Sequence, residues 1–228
     1  MQMLKERDKI LCSRLSSRKP SQYLNSCFIS QLLTTQDDGS HIGYDYNSVK
    51  RHTKKFDVSK CDKIFVPINT NNSHWTLAVI FVKSTTIKYY DSLRNHNTAP
   101  ITSSVIEKRK ARSKLYLNTL KQWICDEVKE KSLSYDVKSL KLECDEDYPQ
   151  QIECDCGIFT IMCADFLSDD LELSFTAKDM PYFRRKILKD IQAGSLDYYM
   201  FPADIGAAAD IGVDTESLAK VKCRSHNF

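Results

Sequence analysis

The residues from Leu77 to Val82 are all apolar, and segments of strand character stand directly on either side of them. A strand with one wet face alternates polar and apolar residues. A run without alternation, too short for an ordinary helix, fits a strand covered on both faces. Before it comes Lys63 to Asn69 (KIFVPIN) and after it Thr86 to Ser92 (TIKYYDS), both β-branched or aromatic. Asn69 to Ser73 (NTNNS) has the composition of a turn between the first two. A sheet whose middle strand is buried twice needs a layer on each side. Helical periodicity elsewhere supplies those layers, so the expected fold class is α+β, a small mixed β-sheet flanked by helices.

Leu24, Phe28 and Leu32 recur at a spacing of four beside Ile29 and Leu33, which predicts a helix with Ser21 as N-cap. Gln36 to Tyr46, with Asp-Asp-Gly-Ser, reads as a loop. A long helix is predicted over roughly Ser103 to Glu130, where Leu117, Leu120, Ile124 and Val128 fall at three- and four-residue steps. A strand near Leu140 to Cys144 and a turn at Tyr148-Pro149 follow. Residues 156–169 read as a buried helix with little polar face, and Ala177 to Gln192 as an amphipathic one. Residues 1–20 are polar and basic and read as a loosely held arm. The tail from Pro202 to Phe228 shows no period. With 228 residues, a single domain spanning about 21–201 can bury its own core without disulfides or a structural metal.

Composition excludes several classes. A net charge of +3 is too small to argue for nucleic acid, and basic runs such as Lys50-Arg51 and Lys54-Lys55 read as solvated surface. The longest apolar run falls far short of the ~20 residues of a spanning helix. The N-terminal residues include Glu6 and Asp8 and no apolar stretch of the secretory type. Nine cysteines, an odd number without framework spacing, are expected to be reduced thiols, which suits the nucleus or cytosol.

Three features carry chemistry. His74-Trp75 stands where the turn enters the buried strand. Asp91 closes the next strand, and if the two strands are hairpin partners His74 and Asp91 share one edge of the sheet. There a carboxylate would fix the imidazole tautomer and support its positive charge. The third is the loop from Gln150 to Gly157 (QQIECDCG), which leads into the buried helix. Cys156 in that helix's first turn meets free N–H groups and the positive end of the dipole, both of which favour a thiolate. Gly157 lets a substrate backbone come close. Gln150, six residues before the cysteine, could offer its amide to an oxyanion; Gln151 is the alternative donor. Each feature has a bland reading: a structural His-Trp, a strand-ending aspartate, an inert buried thiol. Their order makes them informative. Cys154 reads as a plain thiol, with a strained Cys154–Cys156 disulfide as the oxidised alternative.

With these residues the chain resembles the SUMO-deconjugating cysteine proteases of the Ulp/SENP type from about Ser21 to Leu196. Tyr23-Leu24-Asn25-Ser26 is similar to the family's Trp-Leu-Asn-Asp. Val49 to Lys55, Val66-Pro67-Ile68 and His74-Trp75 match the approach to the catalytic histidine, and Tyr89-Tyr90-Asp91-Ser92 the strand of the catalytic aspartate. Pro149-Gln150-Gln151 with Asp155-Cys156-Gly157 matches the nucleophile block, and Asp179 to Arg184 the last helix. The resemblance implies a papain-like core, with His74 as base, Asp91 as its orienter, Cys156 as nucleophile and Gln150 as oxyanion donor. It further implies Trp75 and Tyr23 as the rings of a Gly-Gly tunnel, with Asn25 and Gly157 also at the substrate. No metal or cofactor is implied. The expected partners are SUMO or a related modifier and its lysine-conjugated targets, and the expected form is a monomer. Ser26 and His52 depart from the family pattern at positions that meet the modifier, and the loop before Cys156 is one residue short. Ubiquitin or another modifier as substrate, an acetyltransferase of the same clan and a non-catalytic modifier-binding module are the other readings.

Overall fold

Continuous apolarity in the middle strand has its counterpart in two cores, one on each face of a single sheet. The computed structural model describes residues 1–35, 41–93, 103–194 and 196. In chain order the elements are α1 (Gln2–Arg14), β1 (Gln22–Tyr23), α2 (Phe28–Leu32), β2 (Leu33–Thr35), β3 (His41–Tyr44), β4 (Lys63–Thr70), β5 (His74–Phe81) and β6 (Thr86–Tyr90). They continue with α3 (Ser103–Glu130), β7 (Lys141–Cys144), α4 (Cys156–Ser168) and α5 (Met180–Ala193). The five-stranded sheet runs β1-β4-β5-β6-β7, with antiparallel β4–β5–β6 at its centre and parallel pairs at both margins. It is a mixed sheet between helical layers, as expected of the α+β class.

Along β5 side chains alternate between the two cores. Ala78 and Ile80 join Ile64, Val66, Ile87 and the α3 residues Leu117, Leu120, Trp123 and Ile124 on one face. Leu77 and Val79 join Phe65, Tyr90 and the α4 residues Phe159, Met162 and Ala164 on the other. No helix of the described residues is long and apolar enough to cross a membrane.

Four expectations need correction. The N-terminal arm is not loose: it forms α1, with Leu4 and Leu11 buried. It also docks through the charged side chains of Arg7 and Asp8, which leave no hydrophobic period. Arg7 pairs with Asp165 at 2.6 Å and Asp169 at 3.1 Å and donates to Ser168 Oγ at 2.7 Å. Ser21 is not a helix cap, because its backbone N–H donates to Asp8 Oδ2 at 2.8 Å and the chain next enters β1. The helix begins only at Phe28 and lasts five residues before turning into β2. Within the expected loop, residues 41–44 are a strand paired antiparallel to β2. Residues 36–40, the start of that loop, lie outside the described residues, as do 94–102 and the tail after Pro202.

The other helices stand where periodicity puts them. The last opens with a short turn at Ala177–Asp179, braced by a capping box between Thr176 and Asp179, and ends at Gly194, whose φ of 67° is the left-handed C-terminal cap.

Candidate active site

The site sits where β5 outruns its neighbour. Pairing between β5 and β6 stops at Leu77–Tyr90, so His74 and Trp75 extend past the end of β6. On the other side they stay in register with Thr70 and Asn69 of β4. The turn before them takes Asn71 and Asn72 at φ 51° and 52°, a conformation asparagine tolerates better than most residues. Asp91 is the first residue after β6. These placements bring His74 Nε2 to 2.7 Å from Asp91 Oδ1, with both side chains largely buried. The same carboxylate oxygen accepts the Leu93 N–H at 2.9 Å, which fixes its direction. The second imidazole nitrogen, Nδ1, is buried and makes no closed hydrogen bond; the thiol of Cys156 is the group it faces.

Cys156 is the first residue of α4 and is itself buried. Burial works against its thiolate. The attraction of the facing His74 imidazole, together with the N–H groups of Trp75 and Gly157, outweighs it and holds the thiol below its ordinary range. For His74 burial likewise opposes charge, but Asp91 and Cys156 carry its pKa up to about 9. Asp91 is held below the usual carboxylate range: burial opposes this, and the imidazolium and the Leu93 N–H prevail. The balance is a thiolate–imidazolium pair oriented by a carboxylate.

The loop before Cys156 is tied to the segment after Asp91. Gln151 is buried; its N–H donates to the Ser92 carbonyl at 2.9 Å, its Oε1 accepts from Ser92 Oγ at 2.7 Å and its Nε2 donates to the Glu153 carbonyl at 2.7 Å. Gln150 stands beside the dyad, its Nε2 donating to the carbonyls of Asp91 at 3.2 Å and Tyr148 at 2.8 Å. Of the two glutamines, Gln151 is a loop brace and Gln150 the one whose amide borders Asp91. Trp75 lies over the start of α4: a Cβ built on Gly157 would meet its Cδ1 at 3.7 Å.

Tyr23 stands on β1, two strands across the sheet from Trp75. It pairs with Phe65 at the far end of β4, which in turn pairs with Val79, four residues along β5 from Trp75. At the usual strand rise that is ~13 Å. There the Tyr23 ring stacks on Phe65 with centroids 4.8 Å apart, inside the α4-side core. Asn25 is exposed and its Oδ1 accepts the Cys27 N–H at 3.1 Å, the turn that leads into α2. One contact escapes sequence reasoning altogether. Arg184, from α5, donates to Asp155 Oδ1 through Nε at 2.9 Å and also through Nη2, and reaches the Cys154 carbonyl at 3.2 Å. The partners are about thirty residues apart in sequence, and no local pattern links them. Among the described residues, no two cysteines are joined in a disulfide.

Residues 1–197 match the sequence profile of the Ulp1 protease family, C-terminal catalytic domain. The chain belongs to this family. It is 35% identical to ubiquitin-like-specific protease 1A of Arabidopsis thaliana over 197 residues, which make up 84% of this chain and 34% of that protein. Against ubiquitin-like-specific protease 1 of Saccharomyces cerevisiae the identity is 37% over 145 residues, 62% of this chain and 21% of that protein. The chain thus spans about a third or less of the length of these two relatives. Among solved structures, the C-terminal Ulp1 protease domain in complex with Smt3, the yeast ortholog of SUMO, superposes with a TM-score of 0.59 at 30% identity. That match covers 84% of this chain and 75% of the other. The papain-like expectation thus resolves to the Ulp1 form of a cysteine protease domain, with its thiol at a helix N-terminus packed against the sheet.

Proposed function

We propose that this domain is a thiol protease that cleaves after the C-terminal Gly-Gly of SUMO, releasing it from lysine side chains and maturing its precursor. The observation that carries the reading is His74, bonded to Asp91 on one side and facing a depressed-pKa Cys156 on the other. Support for SUMO comes from the yeast Ulp1 domain solved with Smt3.

In the proposed reaction the Cys156 thiolate attacks the carbonyl of the modifier's last glycine. The oxyanion is met by N–H groups at the start of α4 and by Gln150, whose amide turns from a backbone carbonyl toward it. His74 gives its proton to the leaving lysine nitrogen as the C–N bond breaks, which leaves a thioester on Cys156. Water, giving its proton to His74, attacks the thioester; the glycine carboxylate departs and the thiolate–imidazolium pair is restored. Trp75 over Gly157 forms one wall of a slot that suits residues without a Cβ. The domain needs no second copy for this chemistry, and a reducing nuclear or cytosolic setting suits its thiol.

Intact-mass labelling with C-terminal electrophile probes built on SUMO, ubiquitin and other modifiers tests the reading, with Cys156→Ala run beside the native protein. A single SUMO adduct, absent from the variant, is expected. Labelling by ubiquitin alone would overturn the modifier and keep the chemistry. Folded, reduced protein that reacts with no probe would overturn the protease assignment.

A further inference from the structure

Asp155 occupies the N-cap of α4, yet its side chain caps nothing. An aspartate there ordinarily accepts the N–H of the second or third helical residue. In α4 the second residue is Gly157, and its N–H is one of the groups that hold the Cys156 thiolate. A capping carboxylate would therefore take a donor from the sulfur and set a second negative charge beside it. Instead the carboxylate is turned onto the guanidinium of Arg184, which donates to Oδ1 through Nε and Nη2 and braces the Cys154 carbonyl with the same Nη2. Arg184 comes from α5, and that helix is seated by Phe183, buried against Phe166 and Phe175. The planar guanidinium presents its donors in a rigid fork that fixes the carboxylate's direction, a geometry that the flexible ammonium of a lysine does not impose.

We propose that Arg184 is a positioning residue for the nucleophile: it holds the Asp155 carboxylate off the N-terminus of α4, so that the first-turn donors stay with Cys156. The role deepens the protease reading and rests on it. The charged groups that bear on the sulfur are His74 from β5, Asp91 after β6 acting through His74, Arg109 of α3 acting on Asp91, and the pair of Asp155, adjacent to Cys156 in sequence, with Arg184 of α5. Only Asp155 is a negative charge next to Cys156 in sequence, and Arg184 is its ion-pair partner. Removing Arg184 is thus expected to act through Asp155, and removing Asp155 as well is expected to undo the damage.

The test is the pH dependence of Cys156 alkylation by iodoacetamide, read by site-localised mass spectrometry so that the other thiols do not enter. Arg184→Ala should raise the thiol pKa and slow alkylation near pH 6 by roughly three- to tenfold, as a rise of about half to one unit requires. Arg184→Lys should fall between this variant and the native protein. The double variant Asp155→Ala/Arg184→Ala, whose residue 155 can neither cap the helix nor carry charge, should return to the native rate. An unchanged pKa in folded Arg184→Ala would overturn the proposal. A double variant as slow as the single one would also overturn it, leaving Arg184 a brace on Cys154. If Arg184→Ala fails to fold, Arg184→Gln, which keeps length and a donor without charge, gives the same two readings. Because alkylation needs no modifier, a native Cys156 pKa near that of a free thiol would mark failure of the protease reading itself. A depressed native pKa that ignores Arg184 would mark failure of this proposal alone.

Discussion

At the scale of single residues, the chemistry depends on which proton sits on which ring. His74, pushed to about 9, holds its charge across neutral pH, while Cys156 loses its proton below the usual thiol range. Because the folded pKa of His74 is raised from 6.5, the stabilisation it supplies is complete below about 6.5 and is lost as pH rises through about 9. The thiolate–imidazolium pair is lost in the same alkaline step, and in an acid step when Cys156 protonates. Asp91→Asn removes the strongest support for the imidazolium, so the alkaline limb of kcat/KM should move below 9 and the window narrow from both sides. The plateau should fall roughly 10²–10⁴-fold, the usual worth of a positioned acid–base group. A pH profile on a fluorogenic SUMO substrate checks this, and an unmoved alkaline limb would detach Asp91 from His74. Gly157 separates stability from activity. A methyl group there meets Trp75 at an ordinary 3.7 Å, so Gly157→Ala should fold and gain about 0.5–1 kcal/mol from the better helix former. The same methyl narrows the slot below the indole, so KM for a Gly-Gly substrate should rise while the melting temperature holds or rises.

At the scale of elements, α1 is the unexpected part. Arg7 neutralises Asp165, which burial pushes up to about 6 despite the neighbouring guanidinium. Removing one partner of a buried pair leaves a charge without compensation, and Arg7→Ala should cost about 3–5 kcal/mol near neutral pH. Asp165 binds its proton more tightly folded than unfolded, so its charge penalises the fold as pH rises from about 4 through 6 and is absent below that range. The deficit of Arg7→Ala should therefore shrink when urea melts at pH 7.5 are repeated at pH 5, and an equal deficit at both would mean that packing dominates. This element shows why part of the fold was hidden. β4 to β6, α3, α4 and α5 were legible because each carries its burial as a period or an apolar run. α1 docks through Arg7 and Asp8, residue types that read as solvent-facing, so composition suggested an arm. The stretch after Ser21 carried a helical spacing that tertiary pairing with β4 overrode, which placed Tyr23 on β1 against Phe65. Proximity of His74 and Asp91 was readable from strand order, and that Cys156 joins them followed from the family resemblance, whereas the Arg184–Asp155 contact is purely tertiary.

At the scale of the whole molecule, the two cores do different work. His74 and Asp91 belong to the sheet and Cys156 to α4, so their spacing is set by the core between sheet and α4. Phe159 is fully buried there, three residues into the helix from Cys156, among Tyr148 and Phe175; Tyr148 Oη donates to its carbonyl at 2.8 Å. Leu120 is equally buried in the core on the α3 face and touches none of these groups by position in the fold. Phe159→Ala should cost about 3–5 kcal/mol and Leu120→Ala about 2–5 kcal/mol, by lost burial and the cavity left behind. Their effects on chemistry should differ. In Phe159→Ala the first turns of α4 can settle toward the sheet, displacing the sulfur from Nδ1, and an error near 1 Å in such a pair can cost on the order of a hundredfold. In Leu120→Ala the sheet loses support from behind while α4 keeps its seat. Alkylation of Cys156 in the folded fraction, compared at matched stability in the two variants, separates these outcomes. A slow, thiol-like rate in Phe159→Ala with a native rate in Leu120→Ala is expected. Equal slowing in both would mean that the sheet moves as one body with α3 and that the nucleophile's place is set by the entire fold.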